Sequence, residues 1–182
     1  WSDNRAKPKY NGNLADGQAL ANYIGQFKVK TLTQDYRKDN MGLDILYDEN
    51  IMINNICETD TYITYETSMS GCHGGVGWSE TFGRTFSKKD GHEIKILKNT
   101  NSTNFMQLLI QAVVNEVGGS EGLNDSFFQS PMSEAEPYLV NGAVKFFYQK
   151  YEIGPGALGE IQVLIYKNDI LPYLTDEAKK LL

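Results

Sequence analysis

The densest chemistry in the chain is Ser70-Gly-Cys-His-Gly-Gly75, which puts a hydroxyl, a thiol and an imidazole into one glycine-flanked segment. A nucleophilic reading makes Cys72 or Ser70 the attacker and His73 the base. Such catalysis needs the base held in hydrogen-bond reach of the nucleophile, and the fold normally brings it from elsewhere. The other histidine, His92, stands beside a turn. A zinc reading has to recruit Cys57, Cys72, His73 and His92, every Cys and His in the chain, without the short paired spacing that marks such sites. The plainer account is that the glycines permit unusual backbone angles while His73 hydrogen-bonds a loop or strand end. That account is preferred, and neither a metal nor a cofactor is expected.

Other candidates fare no better. Gly154-Pro-Gly-Ala-Leu-Gly159 has the glycines of a phosphate cradle, but a cradle needs a helix N-terminus behind it. Here the strand-like Ile161-Gln-Val-Leu-Ile-Tyr166 follows. A catalytic carboxylate pair cannot be picked from 23 acidic residues without geometry. The two cysteines are too few for a disulfide framework; they either pair in an oxidising compartment or stand apart as small semi-buried side chains. Asn101-Ser-Thr103 and Asn124-Asp-Ser126 match the glycosylation acceptor pattern, which is common by chance. A net charge of −6 argues against nucleic acid, which calls for clustered Lys and Arg, and leaves room for a basic protein partner.

The elements that must position these residues can be read from periodicity. A chain of 182 residues with 41% hydrophobic and 22% charged side chains suits one soluble domain, and no run reaches the ~18 apolar residues of a membrane span. Residues 1–13 read as an arm. Leu20, Ile24, Phe27, Leu32 and Tyr36 predict a helix from about Asp16 to Asp39, with Asp16 as its cap. Alternation then predicts strands at about 43–48, 51–58 and 61–69, with Asp48-Glu49-Asn50 and Thr59-Asp60 as breaks. Ser70 to Gly77 reads as a loop or bulged crossing, Thr81 to Ser87 as a strand, Lys89-Asp90-Gly91 as a turn and Glu93 to Leu97 as a short strand. Phe105, Leu108, Leu109, Ala112, Val113 and Val117 make the apolar face of a second helix, capped by Thr103 and ended by Gly118-Gly119. Ser120 to Pro137 is a polar excursion carrying Phe127-Phe128, read as a lid. Asn141-Gly142 marks a hairpin, Ile161 to Tyr166 an alternating strand, and Thr175 caps short helical turns at the end. The order predicts an α+β fold, a mainly antiparallel sheet packed against two principal helices.

Tyr151-Glu-Ile-Gly-Pro-Gly-Ala-Leu-Gly159, the strand Ile161–Tyr166 and the terminal Leu181-Leu182 resemble the C-terminal block of the RsiV-like domains of family DUF3298, which a DUF4163 region usually precedes. The aromatic strand Val144-Lys-Phe-Phe-Tyr148 fits, as does the Tyr/Thr-rich Tyr62 to Met69 before Gly71-Cys-His-Gly74, with Lys89-Asp-Gly91 at the following turn. The resemblance covers about residues 14–182, with 14–100 similar to DUF4163 and 101–182 to DUF3298. The chain departs from the pattern at Ser70, Cys72, Gly154 and Gly156, and its N-terminal strand is weak.

What the resemblance implies is an extracytoplasmic, non-catalytic binding domain of a bacterial envelope protein, lipid-anchored in its full-length form. The implied partner is a lysozyme-like protein or a cell-wall glycan such as peptidoglycan. The binding candidates are Gly71, His73 and Trp78 in one segment and Tyr151, Glu152 and Pro155 in another, because both segments combine glycines with aromatic or apolar side chains. Burial of Trp78, and a structural role for Glu152 and Pro155, are the competing readings. Two rival functions stand beside this one: a cell-wall polysaccharide hydrolase or deacetylase-associated domain using the Gly71–His73 loop, and a structural or assembly domain.

Overall fold

The computed structural model describes residues 11–13, 15–19, 22–23, 47–73 and 76–182. Most of the helix expected over Asp16 to Asp39, and the first residues of the strand expected at 43–48, lie outside the described residues. At the helix start the Asp16 carboxylate accepts from the Ala19 N–H at 3.0 Å, as an N-cap does.

Three long strands, β1 (Tyr47–Glu58), β2 (Tyr62–His73) and β3 (Val76–Ser87), form an antiparallel meander in the order β1-β2-β3. Two expectations fail here. Asp48-Glu49-Asn50 does not break β1, because Asp48 pairs with Cys72 and Glu49 with Gly71. Nor do the described residues of Ser70 to Gly77 form a loop: Ser70–His73 completes β2, and Val76 and Gly77 open β3. In a continuous ladder every added residue satisfies backbone donors and acceptors, which outweighs the weak strand preference of Gly or Asn. The register slips once, between Asn55 and Cys57. That bulge brings Cys57 onto the same face as Thr64.

Side chains alternate across this sheet. One face carries Ile63, Tyr65 and Phe86, a small cluster joined by Ala15 and Ile53, with the Tyr65 hydroxyl donating to the Ala15 carbonyl at 2.9 Å. The other face carries Tyr62, Thr64, Glu66, Thr81, Gly83 and Thr85 and meets the C-terminal half of the chain. The turn at Lys89-Asp90-Gly91 forms, with Gly91 at φ 76°. The strand expected at Glu93 to Leu97 does not. That segment is an extended connector bridged to Phe86 at one end and Leu174 at the other, and its hydrogen bonds run to two different elements.

Helix α1 (Thr103–Val117) follows; Ser102 rather than Thr103 caps it, accepting from the Phe105 N–H, and Gly118 ends it at φ 79°. Phe105, Leu109 and Val113 are its buried residues. The excursion after it contains the short helix α2 (Asp125–Gln129), where the aromatic pair divides its work. Phe127 is buried edge-on against Tyr148, whereas Phe128 is 36% exposed.

Strands β4 (Tyr138–Val140), β5 (Ala143–Tyr148) and β6 (Ile161–Tyr166) make a second antiparallel sheet, ordered β4-β5-β6. Asn141 and Gly142, at φ 43° and 81°, form the β4–β5 turn. Positive φ at both positions gives the mirror-image turn whose twist suits paired strands. The chain ends in α3 (Lys167–Ile170), a single 3-10 turn at Leu171–Tyr173 and α4 (Asp176–Leu181), capped by Thr175. The α+β class and the antiparallel pairing are as expected, but the strands divide into two sheets of three. The main core lies between α1 and the inner face of the second sheet, where Phe105, Leu109 and Val113 meet Val144, Phe146, Tyr148, Ile161, Val163 and Ile165. Each such side chain contributes roughly 1.5–3 kcal/mol of apolar burial.

The two sheets meet through β4. The Leu139 N–H donates to Thr85 Oγ1 at 3.0 Å and the Asn141 N–H to Cys57 Sγ at 3.4 Å. The Tyr138 ring lies on Gly83, at the place a Cβ there would occupy. Its hydroxyl donates to Glu66 Oε2 at 2.7 Å, and Lys145 Nζ reaches the same oxygen at 2.8 Å. Burial raises the Tyr138 hydroxyl pKa, and the Glu66 hydrogen bond raises it further.

Candidate functional site

The sequence candidates fall into two separate places. Gly71 and Trp78 are direct cross-strand partners on β2 and β3. With no side chain at Gly71, the partly buried Trp78 has a flat backbone surface opposite it. His73 pairs with Val76 at the end of β2, and its imidazole lies outside the described residues. Trp78 shares its sheet face with Glu80 and Phe82, opposite to the face on which Thr81 meets the C-terminal half.

Tyr151, Glu152 and Pro155 belong to the connection between β5 and β6. That connection is fixed along the outer edge of β3, because the Gln149 side chain accepts from the Thr81 N–H at 3.0 Å and donates to the Thr81 carbonyl at 2.6 Å. Ser79 Oγ also donates to Glu160 Oε1. The second candidate segment therefore addresses an edge of the first sheet and not the face that carries Trp78. Glu152 is engaged in backbone bonds: its oxygens accept from the Glu134 N–H at 2.7 Å and the Gln149 N–H at 2.6 Å. Burial raises its pKa, opposed by those two bonds. Pro155 is exposed and precedes the 3-10 turn Gly156–Leu158. Tyr151 is 68% exposed at φ 74°, with its ring over Gly156 and Lys150 Nζ 5.2 Å from its centroid. Tyr151 is thus both a non-glycine residue in the left-handed region and an exposed aromatic.

The four Cys and His residues do not converge. Cys57 sits beside Thr64, whereas Cys72 lies eight positions further along β2, roughly 27 Å away at strand spacing. Both thiols are free. His92 hydrogen-bonds Asp90 through Nδ1 at 2.5 Å and Glu177 through Nε2 at 2.8 Å. Among the described residues no group of three or more His, Cys, Asp or Glu is arranged to hold a metal ion.

A feature that the sequence reading passed over is an open groove on the C-terminal half. Its larger part, about 690 Å³, runs along α1 past α3, lined by Asn104, Gln107, Gln111, Asn168, Asp169 and Tyr173. It continues as about 360 Å³ between α1 and β6, beside Asn115, Glu116 and the stretch Val163–Tyr166. Asn104, Gln107, Gln111 and Asn115 recur at three- and four-residue steps, so α1 presents a stripe of carboxamides. Gln111 Nε2 donates to Asn115 Oδ1 at 2.7 Å, which orients that pair. Two carboxylates and no basic side chain line the groove. The stripe was legible, since α1 carries a single charged residue, Glu116, where a solvated helix face usually carries several. Its meaning depended on which strand lay beside it.

That strand is the edge of its sheet. The Lys167 N–H donates to the Gly142 carbonyl, which sets the phase of the ladder. Ile161, Val163 and Ile165 exchange bonds with Tyr148, Phe146 and Val144, while Gln162, Leu164 and Tyr166 aim N–H and C=O away from β5. Among the described residues those outward groups have no protein partner. Leu164 and Tyr166 are 46% and 61% exposed.

No family model matches this sequence, and no curated protein matches it. Two solved structures share its architecture. A DUF3298 family protein from Bacteroides fragilis is 14% identical with a TM-score of 0.59, over 88% of this chain and 70% of that one. A DUF3298 family protein from Pseudomonas aeruginosa is also 14% identical with a TM-score of 0.59, over 81% of this chain and 69% of that one. At this identity the common property is the fold.

Proposed function

We propose that this chain is a non-catalytic binding domain of a bacterial cell-envelope protein, RsiV-like in its organisation, with a DUF4163-like part before a DUF3298-like part. In this reading it works outside the cytoplasm, carried by a lipid anchor on the full-length protein, and recognises a basic protein of the lysozyme kind. The observation that carries the reading is the open groove along α1, which combines amides and two carboxylates with the apolar Leu108, Ile110 and Ala112. Its Glu116 and Asp169 face a space without a basic residue, and the whole chain carries a net charge of −6. Such a surface attracts a cationic partner and gives its polar groups many hydrogen-bond donors and acceptors.

A second reading, recognition of a cell-wall glycan, draws on Tyr151. Its exposed ring, held over Gly156, is the kind of rigid platform on which a sugar face stacks. Calorimetric titration with lysozyme and, in parallel, with soluble peptidoglycan fragments distinguishes the two. A saturable lysozyme signal that weakens between about 20 mM and about 300 mM salt supports the protein reading. A signal with the glycan alone, abolished by Tyr151→Ala, moves the function to the second. Silence with both overturns the binding assignment.

A further inference from the structure

We propose that β6 is a docking edge that captures an extended cationic polypeptide by strand addition, with α1 as the far wall of the groove. The proposal rests on the binding-domain reading above and names the chemistry of its ligand.

The first support is the periodicity of the free edge. Gln162, Leu164 and Tyr166 offer N–H and C=O at every second residue, about 6.6–6.8 Å apart along the strand. That is the repeat of an extended polypeptide, which alone presents alternating donors and acceptors at this spacing. The second support is the lack of protection. Natural edge strands are blunted by Lys, Pro or a bulge, whereas Ile161-Gln-Val-Leu-Ile-Tyr166 has no charge and no proline and pairs without a register shift. The third is charge. The added strand would lie alongside β6, next to the flank of α1 that carries Gln111 and Asn115, with Glu116 and Asp169 nearby and no basic lining residue to repel lysine or arginine. The amides of Gln111 and Asn115 are placed to meet polar atoms on the strand's other side. A second copy of this chain fits less well, because it would bring two acidic grooves together.

The experiment uses the intact chain and a ten-residue peptide of alternating lysine and valine, followed by fluorescence anisotropy. A control peptide is N-methylated at every residue, which removes the donors along both edges. The expected result is saturable binding that weakens with salt and falls at least about tenfold for the methylated peptide. Leu164→Pro, which deletes one outward N–H, should cost a similar factor, while Leu164→Thr, which keeps it, should bind within about twofold. No saturation, equal binding of the methylated peptide, or unchanged binding to a folded Leu164→Pro variant each overturns the proposal. So does a dimer in sedimentation that Leu164→Pro dissolves, because the edge would then be occupied by a second copy. If Leu164→Pro does not fold, the methylated peptide decides alone. Lysozyme binding that survives Leu164→Pro, with peptide binding equally unchanged, would leave the binding-domain reading standing while removing strand addition.

Discussion

At one edge of the C-terminal sheet, β4 hands the outward N–H groups of Leu139 and Asn141 to Thr85 and Cys57 of the neighbouring sheet. At the other edge, β6 leaves the corresponding groups of Gln162, Leu164 and Tyr166 unpartnered among the described residues. Both are edge strands of one small sheet, so strand propensity does not separate them. What separates them is which side chains the fold brings alongside: a threonine hydroxyl, a thiol and an aromatic ring over a glycine on one side, and an open groove flanked by Gln111 and Asn115 on the other. The edge of β3 follows the closed pattern too, because the Gln149 amide takes up both the N–H and the C=O of Thr81. The contrast shows that closing a sheet edge is an act of specific side chains, and that strand pairing alone does not supply them.

The contrast can be broken most forcefully at the closed edge. Tyr138→Ala should destabilise the chain by about 4 kcal/mol in urea unfolding, because it empties a fully buried ring site and strips a donor from Glu66. A loss below about 1 kcal/mol would mean that β4 does not seal the two sheets together. Thr85→Val keeps the shape but leaves the buried Leu139 N–H without an acceptor, for an expected cost of about 2 kcal/mol. The matching change at the open edge, Leu164→Pro, should cost only about 1 kcal/mol, since the deleted N–H faces away from β5. A cost equal to that of Thr85→Val would show that β6 is covered after all. The smallest effect lies away from both edges, at His92. Its hydrogen bond to Asp90 raises its pKa above the ordinary 6.5, slight burial works against this, and the charges of Glu177 and Asp90 add to the rise. A raised histidine contributes its full stability below the unfolded value and loses it as pH climbs through the folded one. The thermal advantage of the wild type over His92→Gln should therefore be larger at about pH 5.5 than at about pH 8.5. A constant difference would show that the Asp90–His92–Glu177 cluster is held by geometry rather than charge.

How much of this could be read in advance varied with how local the physics was. Asn141-Gly142 announced its hairpin because a two-residue turn is decided by its own two φ angles. Ile161 to Tyr166 announced its strand because buried and exposed positions alternate along it. The apolar face of α1 was equally plain, and only its cap shifted by one residue, to Ser102. Where residue chemistry and long-range pairing disagreed, pairing won. Glu49 and Gly71 look like breakers alone, yet they sit opposite each other in a ladder that satisfies both backbones. The division into two sheets was invisible because it turns on Thr85, Cys57 and Gly83 meeting residues more than 50 positions away. The groove escaped notice for the same reason, since Gln111 and Asn115 have no visible purpose until a free strand edge stands beside them. Gly71 with Trp78, and Tyr151 with Glu152, were singled out by residue type. Geometry alone separated Tyr151, exposed on its glycine, from Glu152, committed to two backbone donors.

The thiol at the closed edge has a practical consequence. Cys57 is 5% exposed and lies at the seam between the sheets, its sulfur engaged by the Asn141 N–H, whereas Cys72 is only half-buried near the end of β2. An alkylating reagent meets the two on different clocks. Cys72 is modified at a rate set by the reagent, and Cys57 only as often as the two sheets part. Labelling followed by mass spectrometry thus reads the breathing of the seam directly, without introducing any probe into the protein.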